Sequence, residues 1–271
     1  MQIILAVARV AITLAVLIYS SWSDYKTREV SNRVWAIYAP IALILSLSEL
    51  VLYDLSKLTL FALSVGITIG FAFLLFYSGG FGGADSKAFM CIAMALPFFP
   101  TILLTPILVG GLSPISQIIF PITILSNSVL IAALSAVFLL LRNLVRKMTT
   151  GKALFEGTLA TESLGKKILV LVTGQKFSLA TLKAKWHVYP MEDINLEEGE
   201  NKFKRKLVIV PKDEGRDEVV ERLSKAAQEG KIDERVWATP GLPMLIFVTV
   251  GLILALSLGD IVWLLIGSII G

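Results

Sequence analysis

Residues 58–87 read LTLFALSVGITIGFAFLLFYSGGFGGADSK. The first twenty of them, Leu58–Tyr77, carry no charge. At about 1.5 Å of rise per residue, a helix of that length crosses the roughly 30 Å hydrocarbon core of a bilayer. The run stops at Ser78-Gly79-Gly80-Phe81-Gly82-Gly83, too rich in glycine to continue as a stable helix. It is followed at once by Asp85 and Lys87. An ionisable side chain at the edge of a membrane segment is costly, so its presence there points to a role.

The rest of the chain has the same texture. It is 271 residues long, 55% hydrophobic, with a mean hydropathy of +0.77. Six apolar segments are predicted to span a membrane: Ile3–Ser20, Val34–Tyr53, Leu58–Tyr77, Ala88–Gly110, Ile122–Leu141 and Leu242–Ile270. The expected fold is therefore an all-α polytopic membrane protein with six transmembrane helices. Pro97, Pro100 and Pro106 interrupt the fourth segment, which predicts a kinked helix or a short helix followed by an irregular piece. The first segment does not read as a cleavable signal: no basic stretch precedes it, Arg9 interrupts it, and no small-residue cleavage site follows.

Charge placement organises the remainder. Of 25 Lys and Arg residues, 19 fall between Arg142 and Arg235, in a stretch with 15 acidic residues. Residues 142–239 are thus expected to be a small α+β cytoplasmic insertion between helices five and six. Residues 1–141 and 240–271 supply the membrane part. Within the insertion, Trp186–Pro190 and Lys206–Pro211 read as strands, Asp217–Glu229 as an amphipathic helix, and Gly165–Gly174 as a strand or interfacial segment. Lys26, Arg28 and Arg33 follow the first span and Lys87 precedes the fourth. The positive-inside rule then puts the N-terminus outside and both of these loops in the cytoplasm. That asymmetry also accounts for the net charge of +4 without nucleic acid as a partner.

Two aspartates, Asp24 and Asp85, lie on that common side. Each has an ordinary reading: Asp24 as part of a solvated cluster with Lys26 or Arg28, Asp85 as a polar helix cap behind a glycine loop. Jointly they suggest an acid–base pair. Two carboxylates about 4 Å apart at an effective dielectric of about 20 repel by roughly 4 kcal/mol. That holds one proton on the pair at neutral pH. The ionised partner would then activate a water and the protonated one would donate to a carbonyl oxygen, as a dyad.

The stretch Asp24-Tyr25-Lys26-Thr27-Arg28-Glu29-Val30-Ser31-Asn32 resembles the first-aspartate motif of the archaeal preflagellin peptidases and wider type IV prepilin peptidases, within the GxGD intramembrane aspartyl proteases. Gly82-Gly83-Ala84-Asp85-Ser86-Lys87 resembles the second motif, with Ala84 where the family name expects glycine. Trp237-Ala238-Thr239-Pro240-Gly241-Leu242-Pro243 resembles the entry to the family's last span. The resemblance implies catalysis by Asp24 and Asp85. It implies a supporting binding role for Gly82, Gly83, Ala84, Lys87, Pro240, Gly241 and Pro243, and no metal or cofactor. Lys87 reads either as a charge tuning the pair or as an anchor at the membrane surface. The implied partners are leader-bearing archaellin- or pilin-like precursors, beside membrane lipid. Bifunctional relatives carry a tetracysteine zinc domain; Cys91 is the sole cysteine, so no such domain and no methyltransferase activity is expected. Two other classes fit the same residues: a proton- or cation-coupled transporter or secretion component using both aspartates, and a nonenzymatic anchor whose insertion docks a partner.

Overall fold

The computed structural model describes residues 1–108, 110–151, 153–196, 203–209, 215–241 and 243–270. Its helices begin with α1 (Gln2–Thr27), α2 (Asn32–Tyr53), α3 (Leu58–Tyr77), α4 (Gly83–Ala95), α5 (Pro114–Ile118) and α6 (Phe120–Thr150). Then come α7 (Leu164–Thr173), β1 (Gln175–Ser178), α8 (Leu179–Ala184), β2 (Tyr189–Pro190), β3 (Glu192–Leu196) and β4 (Phe203–Leu207). The chain closes with α9 (Arg216–Gln228), β5 (Arg235–Thr239), α10 (Met244–Ser257) and α11 (Ile261–Ile270). Two units result, Met1–Ala132 with Pro243–Gly271, and Ala133–Leu242.

The expectation of six spans is overturned. Among the described residues four helices, α1, α2, α3 and α6, are long and apolar enough to cross a membrane, and α10 with α11 makes a fifth only if that bent pair counts as one. The shortfall lies in the predicted fourth span, where the structure takes the second of the two readings, a short helix followed by an irregular piece. α4 has 13 residues, a rise of only about 20 Å. Pro97 and Pro100 follow, neither able to donate a backbone hydrogen bond, and the chain runs irregularly to α5. Likewise the last segment breaks at Gly259 and Asp260 with a bend of 66°.

A helix broken inside an apolar bundle exposes carbonyls that water cannot reach, and each must find a protein donor. Polar residues from three other helices supply them. The Ala95 carbonyl accepts from Arg9 Nη1 at 2.9 Å and Ser46 Oγ at 3.1 Å. The Pro97 carbonyl accepts from Ser64 Oγ at 2.9 Å and from the Phe120 N–H at 3.0 Å. Arg9 also forms an ion pair with Glu49 of α2. The charge that interrupts the first span is therefore a cap for the break in α4.

At the second break, Asp260 is the interruption itself. Its carboxylate accepts from the Trp263 N–H at 3.0 Å, starting α11, and from Ser113 Oγ at 2.7 Å. Its own N–H donates to the Gly111 carbonyl at 2.8 Å. Gly259 has φ 92°, and a Cβ there would lie 2.1 Å from the Gly111 oxygen, so only glycine fits the crossing.

α10 also needs a glycine where it meets α6. A Cβ on Gly251 would lie 2.2 Å from Ser128 Oγ and 2.8 Å from the Ile124 carbonyl. Small residues permit this kind of close helix approach in membranes. Gly251→Val should therefore destabilise the fold by about 1–3 kcal/mol or more, through overpacking. A lowered midpoint in detergent unfolding would show it, and an unchanged midpoint would mean that α10 and α6 are not so close.

The second unit contains a three-stranded antiparallel sheet, β1-β5-β2, and a two-stranded one, β3-β4. Fully buried Glu192 links them: it pairs with Arg205 of β4 and accepts the Trp237 N–H of β5 at 2.8 Å. α9 forms where the amphipathic pattern predicts a helix. The segment 165–174 is a helix, α7, rather than a strand, with Ser163 accepting from the Lys166 N–H at its start. Of the predicted strand 186–190 only Tyr189–Pro190 pairs, and the strand predicted at 206–211 lies earlier, at Phe203–Leu207. Val210 and Pro211 fall outside the described residues.

Candidate active site

α1 does not end at Ser20, where polar residues begin. It runs almost two turns further, to Thr27, and Arg28 closes it in the left-handed region (φ 58°), donating its N–H to the Asp24 carbonyl at 2.9 Å. Asp24 therefore stands on the last helical turn, not in a loop. Ser31 accepts from the Arg33 N–H as the N-cap of α2.

Asp85 stands in the first turn of α4, outside the four spanning helices. Its Oδ2 accepts the Gly82 N–H at 3.0 Å, so the helix-capping reading of this residue is met by one oxygen. The same contact explains Gly82, where a Cβ would lie 3.1 Å from that oxygen. Burial pushes the Asp85 carboxyl up to about 6; the Gly82 N–H pulls it down, and the Asp24 charge adds a smaller push. The two aspartates, 61 positions apart in the numbering, thus lie within electrostatic reach of each other. No hydrogen bond joins them. Burial, more than the mutual repulsion expected of a tight pair, is the main cause of that upward shift.

Arg28 lies within electrostatic reach of Asp24, yet no described residue forms an ion pair with that carboxylate. Ser20, one turn before Asp24 on the same helix face, and Ser86, next to Asp85, are buried, and their hydroxyls have no partner among the described residues. Neither serine carries a signal in the sequence that separates it from other serines of the apolar segments.

Lys87 does not turn to the carboxylates. Its Nζ donates to Asn32 Oδ1 at 2.7 Å, joining the α1–α2 connection to the first turns of α4. Asn32 is the residue whose part the sequence does not disclose, although it lies within the quoted motif. Gly83 and Ala84 are the first residues of α4, and a Cβ on Gly83 would meet the Phe76 ring at 3.7 Å, an ordinary contact.

Of the third stretch, Pro243 caps α10. The first turn of that helix is fastened to α1 by Ser21 Oγ, which donates to the Leu245 carbonyl at 2.9 Å. Pro240 and Gly241, the latter with φ 66°, belong to the second unit. Among the described residues no three His, Cys, Asp or Glu side chains gather as metal ligands.

The four long apolar helices among the described residues define the class, a membrane protein. Comparison with known proteins narrows it. The type IV leader peptidase family matches residues 11–141, and the C-terminal region described as archaeal peptidase A24, type II, matches residues 166–261. A preflagellin peptidase of Methanococcus maripaludis strain C6 is 23% identical over 246 residues, 90% of this chain and 92% of its own. One of Methanococcus voltae is 26% identical over 256 residues, 92% and 94% of the two chains. The chain belongs to the type IV prepilin and preflagellin leader-peptidase family. That membership associates it with aspartic-type peptidase activity on precursor proteins.

Proposed function

We propose that this protein is a membrane aspartyl endopeptidase that removes the N-terminal leader of archaellin- or pilin-like precursors. The observation that carries the reading is the match to the type IV leader-peptidase family, with Asp24 in the last turn of α1 and Asp85 in the first turn of α4. One carboxylate takes a proton from a water as the water oxygen bonds to the scissile carbonyl carbon. The protonated partner donates to the carbonyl oxygen. Collapse of the gem-diol intermediate breaks the C–N bond: one of its O–H groups returns a proton to the dyad, the amine leaves with a proton from the dyad, and the pair again holds one proton. Which acid starts ionised is a property of the pair.

Lys and Arg placement supports cleavage at the cytoplasmic face, with the N-terminus outside. The bond to be cut has to be extended, because a helical peptide hides its carbonyl in a hydrogen bond. Gly79 (φ 76°) and exposed Gly80 lie in the loop before α4 and provide room for such a strand. Gly79→Ala with Gly80→Ala should therefore slow cleavage about tenfold, since alanine is strained at positive φ. Unchanged kinetics would remove the loop from the mechanism.

The test is incubation of the purified protein with a leader-bearing precursor, followed by sequencing of the product N-terminus. A single shortened product, formed equally well in EDTA, is expected. No product, with a flux that depends on a proton or ion gradient across reconstituted vesicles, would favour the transporter reading instead.

A further inference from the structure

The second unit holds a basic cleft that the acid pair does not use. It has a volume of about 240 Å³, and its lining includes Arg146, Lys147, Lys176, Arg235, Asp233 and Trp237. The antiparallel register pairs Lys176 of β1 with Trp237 of β5. Arg235, two residues before Trp237, shares its face of the sheet. Arg146 and Lys147 enter from the last turns of α6. The floor is rigid: Trp237 is buried, stacks on Phe155 with ring centroids 5.3 Å apart, and donates Nε1–H to the Leu154 carbonyl at 3.1 Å.

Four cations line this cleft with Asp233 as the one carboxylate among the lining residues. Arg146 lies within electrostatic reach of Arg235 and Arg142 as well as Asp233, so positive charge outweighs negative around it. Arg146, Lys147 and Lys176 form no ion pair with any described residue. Elsewhere in the same unit Arg205, Arg216, Arg222, Lys225 and Lys231 are all paired with acids. A cluster of like charges around a fixed pocket is an anion site.

Its depth selects the anion. The apolar run of α6 ends at Leu141, and Arg146 and Lys147 follow within about 9 Å along the helix axis. Phospholipid headgroups occupy that layer, just beyond the hydrocarbon. In the lining of the cleft, Asn143 Nδ2 donates to the Leu171 and Gly174 carbonyls at 2.9 Å each, tying in the end of α7. α7 exposes Leu164 and Ile168, four residues apart on one side, as an interfacial helix does.

We infer that this cleft binds the phosphate of an anionic phospholipid headgroup, held by Arg146, Lys176 and Arg235. Native mass spectrometry of the full chain in detergent, titrated with phosphatidylglycerol or phosphatidylcholine, tests it. The wild type should retain phosphatidylglycerol in preference, and Arg146→Gln with Arg235→Gln should weaken that retention about tenfold or more. The independent pair Lys147→Gln with Lys176→Gln should act in the same direction, whereas Lys225→Gln with Lys231→Gln should change nothing. Equal retention of both lipids by the wild type, or undiminished preference in both cleft variants, would overturn the inference. So would inorganic phosphate binding in the cleft with no lipid preference, which would make the ligand a free anion.

Discussion

Asp24→Asn and Asp85→Asn are each expected to lower leader cleavage by about a thousandfold or more, with little effect on folding. Asparagine preserves shape, and at position 85 it retains an oxygen for the Gly82 N–H, so α4 should still start where it does. What is lost is proton transfer, which contributes typically about 10²–10⁴ to such reactions. Because the two acids work on one proton, the double variant should be no slower than the slower single one. Independent, multiplying losses would mean that the residues act at different steps. Normal cleavage by either single variant would remove that residue from the chemistry.

The second large effect concerns stability. Arg9→Leu should cost about 3–5 kcal/mol, the usual consequence of leaving one member of a buried ion pair alone. Arg9 and Glu49 are only 10% and 13% exposed, and Arg9 also serves the Ala95 carbonyl at the end of α4. Adding Glu49→Leu should recover part of the loss, because the stranded charge goes, but not all, because Ser46 then serves that carbonyl alone. Detergent unfolding midpoints of the three variants provide the measurement. If the single variant unfolds like the wild type, Arg9 does not hold the break.

These two predictions draw on different kinds of legibility. Asp24 and Asp85 stand out because charge is rare in apolar segments, and the glycines before Asp85 mark a turn by composition alone. Leu58–Tyr77 is recognisable by length, and α9 by its 3.6-residue pattern. The break after Ala95 is announced by Pro97, Pro100 and Pro106 but not placed by hydropathy, because Leu96, Phe98 and Phe99 keep the segment apolar across a backbone that is no longer helical. Its partners Arg9, Ser46 and Ser64 lie 86, 49 and 33 positions from the carbonyls they serve. No local pattern encodes such a contact.

The insertion shows a similar division. Ile168, Val170 and Val172 favour a strand by β-branching, but the Ser163 cap and a one-sided apolar face make the segment a helix. β1 and β5 have four and five residues, and they become strands only by pairing across some sixty positions. Lys87 illustrates the same limit at the site. Its charge is visible in the sequence, but Asn32, 55 positions away, decides where the ammonium goes.

Cross-linking asks most directly whether the acids can come together. In a Cys91→Ala background, Asp24→Cys with Asp85→Cys provides the only two thiols in the chain. A short homobifunctional thiol reagent, applied in intact membranes and read as intact mass, should add one bridging reagent per chain, more completely with a precursor present. Two separately capped thiols per chain, with and without precursor, would show that the aspartates never meet over a shared water.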